Sequence, residues 1–422
     1  MLLSIAPHRL SSGTVTAPPA KSTAHRILIA AALAKNPSNI LLPIESEDIA
    51  ATRQCLQSLG AQFNRQQERL QVKPITSIDS NKLHELNCGE SGTTLRFMLP
   101  LVACLGANAR FLAHGRLPQR PLSPLLGELI SHGCSISAAH PPFELSGRLQ
   151  PGLYSLPGDI SSQFISGLLF ALPLLSADSR IELSSHLQSS GYVDLSMAVL
   201  RQFGIKCIET AGGYNIPGAQ SYVSPGNIEV EGDWSNAAFF LVAGALNAPI
   251  HCTGLKIESS QSDKRILQEL KRFGANISET ENSVSAAPGT LKGTKVDVSE
   301  IPDLLPILAV LACFAKNTSY FYNAARLRLK ESDRISSVKN MIVALGGKAE
   351  EQEDSLTVYG QNELQGGVVD SCKDHRIVMA AAIAATRCRQ EVQIIDATAV
   401  RKSYPDFFQV YSSIGGIVKN GV

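Results

Sequence analysis

Two hydrophobic rhythms alternate along the chain. In the first, apolar positions recur three and four apart and the stretch stops at a glycine after a bulky residue. It runs over 48–60, 122–133, 193–204, 262–274, 333–346 and 404–415. This is the pattern of an amphipathic helix that buries one face and ends in a left-handed residue. Gly60, Gly133, Gly204, Gly274, Gly346 and Gly415 stand 69 to 73 residues apart. In the second rhythm the stretches are apolar on nearly every side but open on polar or charged residues. They start near Lys21, Gly92, Ser161, Ser235, Asp303 and Asp374, at spacings of 68 to 74. Helices apolar all round belong to a core. Short β-like runs follow four of the glycines, at 61–63, 134–136, 205–207 and 275–277, and others link the two series, at 40–44, 180–183 and 392–395.

Two independent landmarks thus agree on six repeats of about seventy residues in a chain of 422. Each repeat holds one buried helix, one amphipathic helix and several strands, which predicts α/β or α+β layers. Six such units group naturally as two domains of three. The run Ser224-Pro225-Gly226-Asn227 lies halfway, and Pro18-Pro19 precedes the first buried helix. If both are crossings, the N-terminal strand belongs with the C-terminal half. The expected domains are then 1–19 with 229–422, and 20–228.

Composition narrows the function. Lysine and arginine number 38 against 37 acidic residues, a net charge of +1, so a nucleic-acid coat or an acidic-membrane binder is not expected. Nine cysteines form no CxxC pair and sit mostly in apolar stretches, as buried thiols of a cytoplasmic protein would. The longest strictly apolar run, 304–315, is too short to span a bilayer, and MLLSIAPHRL does not read as a secretion signal.

The polar helix starts carry the chemistry. A helix N-terminus offers free N–H groups and partial positive charge. Serines and aspartates there are explained by capping. Lys21, Arg26, Arg96 and Arg376 are not, because the macrodipole disfavours a cation in the first turn unless an anion is near. These four point to a strongly anionic ligand.

On these positions the chain resembles the 5-enolpyruvylshikimate-3-phosphate synthases, or 3-phosphoshikimate 1-carboxyvinyltransferases, over nearly its whole length. The motifs are Lys21-Ser22-Thr23-Ala24-His25-Arg26, Ser91-Gly92-Thr93-Thr94-Leu95-Arg96, Gln119-Arg120-Pro121, Ser161-Ser162-Gln163-Phe164, Tyr192-Val193-Asp194 and Val230-Glu231-Gly232-Asp233. Further on come Arg328-Leu329-Lys330-Glu331-Ser332-Asp333-Arg334, Asp374-His375-Arg376 and Lys402-Ser403-Tyr404-Pro405-Asp406. The resemblance implies a two-domain inside-out α/β barrel of six βαβαββ-type units, three per domain, with the active site in the cleft between domains. It implies transfer of the enolpyruvyl group of phosphoenolpyruvate to the 5-hydroxyl of shikimate 3-phosphate, releasing phosphate, on the route to chorismate. It implies no metal or organic cofactor, and a monomer without nucleic-acid or membrane partners.

Residue roles follow from the same resemblance. Asp303 would deprotonate the 5-hydroxyl, Glu331 would act as acid and then base at the methylene carbon, and Lys21 would assist. Lys21, Ser22, Arg26, Ser161, Ser162, Gln163, Ser189, Asp303 and Lys330 match the shikimate 3-phosphate site, with Tyr192 beside it. Lys21, Gly92, Arg120, Gln163, Arg334, Arg376 and Lys402 match the phosphoenolpyruvate site, with Arg96 and His375 nearby. Judged alone, Asp303 reads as a helix cap after Pro302 and Glu331 as a surface ion pair.

Some positions depart from the family pattern: Pro19 stands where Gly is usual, Ala24 where Ser is common, Glu90 where Asn often precedes Ser-Gly-Thr, and Arg326 where some members have Asn. Two other functions compete. A sister enzyme transfers enolpyruvyl to UDP-N-acetylglucosamine, but its mobile-loop cysteine has no counterpart between Cys104 and Cys134. A non-catalytic phosphometabolite-binding protein would keep the basic residues and lose the set Lys21, Asp303 and Glu331.

Overall fold

The structure is a computed structural model that describes residues 2–420. Among these the helices occur in pairs, one pair per repeat. They are α1 (Lys21–Leu33) and α2 (Glu47–Ser58), α3 (Gly92–Leu105) and α4 (Leu125–Ser131), and α5 (Ser162–Ala171) and α6 (Ser190–Gln202). The second half adds α7 (Trp234–Leu246) and α8 (Ile266–Phe273), α9 (Leu305–Cys313) and α10 (Arg334–Ala344), and α11 (His375–Ala385) and α12 (Phe407–Ser413). All six stop glycines have positive φ, between 76° and 107°.

Each repeat folds one four-stranded sheet of constant plan. In the second, Leu83–Asn87 runs parallel to Asn108–Leu112 across the α3 connection; Asn108–Leu112 is antiparallel to Phe143–Gly147, which pairs in turn with Cys134–Ile136. The repeats are closed by strands from distant parts of the chain. Asn227–Glu229 completes the sheet of Ser38–Leu41, Gly13–Thr16 completes that of Ile250–Thr253, and Leu3–Ile5 lies between Val392–Ile395 and Val418–Asn420. The N-terminal strands therefore belong to sheets of the C-terminal half.

The chain divides into two compact units, Pro19–Val230 and the remainder, with boundaries at Pro18/Pro19 and Val230/Glu231. In the second unit α7, α9 and α11 pack on one another, and almost every side chain of α9 and α11 is buried. In the first unit α3 packs against α5. Pro100, inside α3, has no N–H to give the Arg96 carbonyl, and Gly167 of α5 packs there; a Cβ at Gly167 would lie 2.6 Å from that oxygen. Close packing here fixes the spacing of the two helix starts that carry Arg96 and Gln163.

Several sequence-based boundaries shift. The predicted strand at 205–207 is absent, and pairing begins at Ile208–Thr210. The helix expected from Asp303 opens as the 3₁₀ turn Pro302–Leu304 before α9. Helices α4, α8 and α12 start later than the periodicity suggests. Ser262–Arg265 forms a separate 3₁₀ turn, and prolines 124 and 405 precede α4 and α12, where a missing N–H is tolerated.

Candidate active site

In the first unit the helix starts hold the cations in place through the protein's own oxygens. Arg26, buried in α1, donates from Nε to Ser196 Oγ at 2.8 Å, from one terminal nitrogen to the Tyr192 carbonyl at 2.7 Å and from the other to the Ser22 carbonyl at 2.6 Å. Its guanidinium also lies over the Phe97 ring, 5.1 Å from the centroid. Lys21 Nζ donates to Asp48 Oδ2 at 2.8 Å. Ser189 stands at the first position before α6 in a left-handed conformation, without a side-chain capping bond to that helix, and Ser161 caps α5 by accepting from the Gln163 N–H.

A second cluster forms at α3 and α5. Arg96 donates to Gln163 Oε1 at 3.0 Å and to the Pro121 carbonyl at 2.9 Å, while Gln163 Nε2 donates to Thr93 Oγ1 at 2.9 Å. Gly92 is required by its neighbours. A Cβ there would lie 2.6 Å from an Arg96 nitrogen and 2.8 Å from an Arg120 nitrogen, so the two guanidinium groups flank a bare backbone at the helix start. A buried chain of hydroxyls ties α1, α2 and α3 together: His25 Nδ1 meets Thr52 at 2.7 Å, Thr52 meets Thr94 at 2.6 Å, and Thr94 donates to Ser91 at 2.7 Å. Burial, with Lys21 and Arg26 adding to it, holds His25 well below its ordinary pKa, so the ring is neutral.

The second unit gathers carboxylates and cations around one buried arginine. Arg334 donates to Asp303 Oδ1 and Glu331 Oε2, both at 2.5 Å, and to Asp374 Oδ2 at 2.8 Å. Arg376 donates to Asp303 Oδ2 at 2.9 Å, and Lys330 Nζ lies 3.8 Å from Asp303 Oδ1. Burial pushes the Asp303 carboxyl up, but Arg376, Lys330 and Arg334 outweigh it and hold it well below the carboxylate range. Burial lowers Lys330 to about 8 despite Asp303 beside it. Asp374 caps α11 through the Arg376 N–H, and its other oxygen also accepts from Ser332 Oγ at 3.0 Å. Buried His375 lies 3.8 Å from Asp374, and Lys402 Nζ donates to the Lys373 carbonyl at 2.8 Å.

The structure therefore groups Lys21, Ser22, Arg26 and Tyr192; Gly92, Arg96, Arg120 and Gln163; and Asp303, Lys330, Glu331, Arg334 and Arg376. Sequence reasoning missed Asp48 and Asp374 as partners of Lys21 and Arg334. Asp374 was visible as a helix start, whereas nothing local marks Asp48. The cations also differ from expectation in one respect. Those at the α10 and α11 starts are offset by the protein's own carboxylates, so their presence does not by itself require a ligand.

Comparison with known proteins decides the family. The model of "EPSP synthase (3-phosphoshikimate 1-carboxyvinyltransferase)" matches residues 6–411. The chain belongs to the EPSP synthase family. A 3-phosphoshikimate 1-carboxyvinyltransferase of Clostridium kluyveri is 41% identical over 418 residues, covering 98% of this chain and 97% of the relative. The EPSP synthase structure from Acinetobacter baumannii superposes with a TM-score of 0.82 at 24% identity, over 99% of this chain and all of that one. The enolpyruvyl transferase NikO from Streptomyces tendae has a TM-score of 0.78 at 19% identity, over 99% of this chain and 98% of its own. These two structural likenesses bear on the fold, which is the two-domain α/β architecture of EPSP synthases. No described helix is long and apolar enough to cross a membrane.

Proposed function

We propose that this EPSP synthase family member transfers the carboxyvinyl group of phosphoenolpyruvate to the 5-hydroxyl of shikimate 3-phosphate. Family membership supports the substrates; the observation that carries the chemistry is the pairing of Asp303 and Glu331 on one buried arginine. C3 of phosphoenolpyruvate takes a proton, the 5-oxygen bonds to C2 and loses its proton, and the C2–O bond to phosphate then breaks. Loss of a proton from C3 restores the double bond. The scheme needs one group at the hydroxyl and one at C3, and in this reading Asp303 and Glu331 take those roles, with Lys21 assisting.

The assignment of binding residues is part of the proposal. Lys21, Ser22, Arg26, Ser161, Ser162, Gln163, Ser189, Tyr192, Asp303 and Lys330 serve shikimate 3-phosphate. Lys21, Gly92, Arg96, Arg120, Gln163, Arg334, His375, Arg376 and Lys402 serve phosphoenolpyruvate. Planar guanidinium groups suit the task because each meets a carboxylate or phosphate in two parallel hydrogen bonds. Without substrate Asp303 is a weak base, because three cations hold it ionised. Phosphate and carboxylate groups that draw Arg334, Arg376 and Lys330 toward themselves would release it to accept the hydroxyl proton.

The reading carries with it a cytoplasmic monomer; the balanced charge and nine cysteines outside any disulfide fit that setting, and light scattering on a sizing column tests the monomer. Phosphate release from phosphoenolpyruvate with shikimate 3-phosphate or UDP-N-acetylglucosamine as acceptor tests the function. Release with shikimate 3-phosphate alone is expected. Release only with the nucleotide sugar, or with neither acceptor, overturns it.

A further inference from the structure

The proposed chemistry makes no use of the buried acid Asp263. Asp263 sits on the 3₁₀ turn Ser262–Arg265 and is 2% exposed. Its Oδ2 accepts from the Ser235 hydroxyl in the first turn of α7. Its Oδ1 is buried and has no hydrogen-bond partner among the described residues. Gln261 fastens the turn to the start of α7: its Oε1 accepts from the Trp234 N–H at 3.1 Å and its Nε2 donates to the Gly232 carbonyl at 2.9 Å. The carboxyl is therefore fixed, and a fixed buried oxygen without a donor is the environment of a neutral acid.

The charged groups that act on Asp263 come from three other elements: Asp303 at the turn into α9, Arg376 on α11, and Asp233 at the α7 cap. On its own turn, Lys264 donates away, to the Ile257 carbonyl at 2.7 Å, and Arg265 acts on Asp297. Burial and then Asp303 push the carboxyl up to about 7, against the pull of Arg376 and the Ser235 hydrogen bond. Two carboxyls with opposite environments thus share one cation. Asp303 is kept ionised by its three cations, and Asp263 is kept protonated by burial and by Asp303.

We propose that Asp263 is a positioning residue for the carboxyvinyl transfer, acting through Arg376. This rests on the function proposed above, in which Arg376 serves phosphoenolpyruvate. While Asp263 is neutral, it does not compete with Asp303 and the substrate anion for the Arg376 guanidinium. Once Asp263 ionises, a third anion competes for the same guanidinium, and phosphoenolpyruvate loses part of its hold. Ionisation of Asp263 limits phosphoenolpyruvate affinity on the alkaline side without touching the reacting atoms.

Two measurements test this. In a steady-state pH series, KM for phosphoenolpyruvate in the native enzyme should rise by about threefold or more from about pH 6 to about pH 8, with a smaller change in kcat. Asp263→Asn, which fixes the neutral form, should flatten that rise. Infrared difference spectra, which need no turnover, should show a protonated buried carboxyl lost over the same range in the native protein and absent from Asp263→Asn. Ser235→Ala supplies a second variant should Asp263→Asn fail to fold. It removes a donor that favours the ionised form, so the carboxyl band should persist to higher pH. No such band in the native protein, or an unchanged KM profile in a folded, active Asp263→Asn, overturns the proposal. Absence of phosphate release from the native protein would instead count against the proposed function, while the infrared titration still reads Asp263.

Discussion

Replacing Arg334 by methionine probes the carboxylate cluster most directly. The side chain is 1% exposed and Asp374 is fully buried, so their 2.8 Å ion pair lies in a region that water screens little. Asp303 and Glu331 each meet the same guanidinium at 2.5 Å and are themselves mostly buried. Arg334→Met leaves these carboxylates without their shared cation, although Arg376 and Lys330 still act on Asp303. Removing one partner of a buried pair costs about 3–5 kcal/mol. For a unit of this size, 1 kcal/mol moves Tm by about 2–4 °C, so the melting point should fall by about 6–20 °C.

The pH dependence follows from Asp303. Its folded-state pKa lies below the unfolded value, so its stabilising contribution is present above about pH 4 and is lost as the pH falls through the folded-state pKa. Arg334→Met removes part of that depression. The gap between native protein and variant should therefore be full at pH 7, nearly unchanged at pH 5, and begin to close only below about pH 4. Urea unfolding followed by far-ultraviolet circular dichroism at each pH measures it. A deficit under about 1 kcal/mol would mean that the pairs are screened like surface ones. A deficit that shrinks between pH 7 and pH 5 would mean that Asp303 is not the group concerned.

Gly92→Ala should still fold, because its Cβ meets only guanidinium atoms of Arg96 and Arg120 and no backbone, but displacing them should raise KM for phosphoenolpyruvate by about tenfold or more; an unchanged KM would refute the placement of both arginines. Asp303→Asn and Glu331→Gln should each lower kcat by about 10²–10⁴-fold, with calorimetric affinity for shikimate 3-phosphate changed far less; near-normal turnover removes that residue from the mechanism. Lys330 loses its charge as pH rises through about 8, so affinity for shikimate 3-phosphate should fall from pH 7 to pH 9 in the native protein and hold in Lys330→Arg; parallel losses in both would place the titration elsewhere.

The repeats were legible because their signals are local. A helix that buries one face needs its apolar residues three and four apart, and the left-handed residue after it favours glycine. Gly60, Gly133, Gly204, Gly274, Gly346 and Gly415 all have the positive φ that their positions imply. The region 205–207 shows the limit of such signals. Ile205 is buried beneath the end of α6, with its N–H bonded to the Leu200 carbonyl, so an apolar residue that reads as strand serves as a helix-end contact instead. Strand closure by residues 3–5 and 13–16 could be inferred only from where the prolines fall, since their partners lie more than two hundred residues away. Asp48 was invisible for the same reason: its meaning depends on Lys21 being brought beside it by the packing of α1 on α2.

The cations show why charge at a helix start is ambiguous from sequence. Arg26 and Arg376 look alike there, each near the first turn of an apolar helix. In the fold Arg26 rests on hydroxyl and carbonyl oxygens, while Arg376 rests on the carboxylate of Asp303. The difference matters on the proposed chemistry. An anion that recruits Arg26 displaces only neutral acceptors, so the full charge attraction is available for affinity. An anion that recruits Arg376 must compete with Asp303, and so gains less. What it forgoes in affinity raises the basicity of the carboxyl it displaces, because a carboxylate that loses a neighbouring cation holds a proton more tightly. Binding free energy is then converted into a lower barrier for proton removal, which is the way an interaction can increase turnover rather than merely saturate the site. In this reading Arg26 serves affinity, and Arg376 couples substrate arrival to activation of the base.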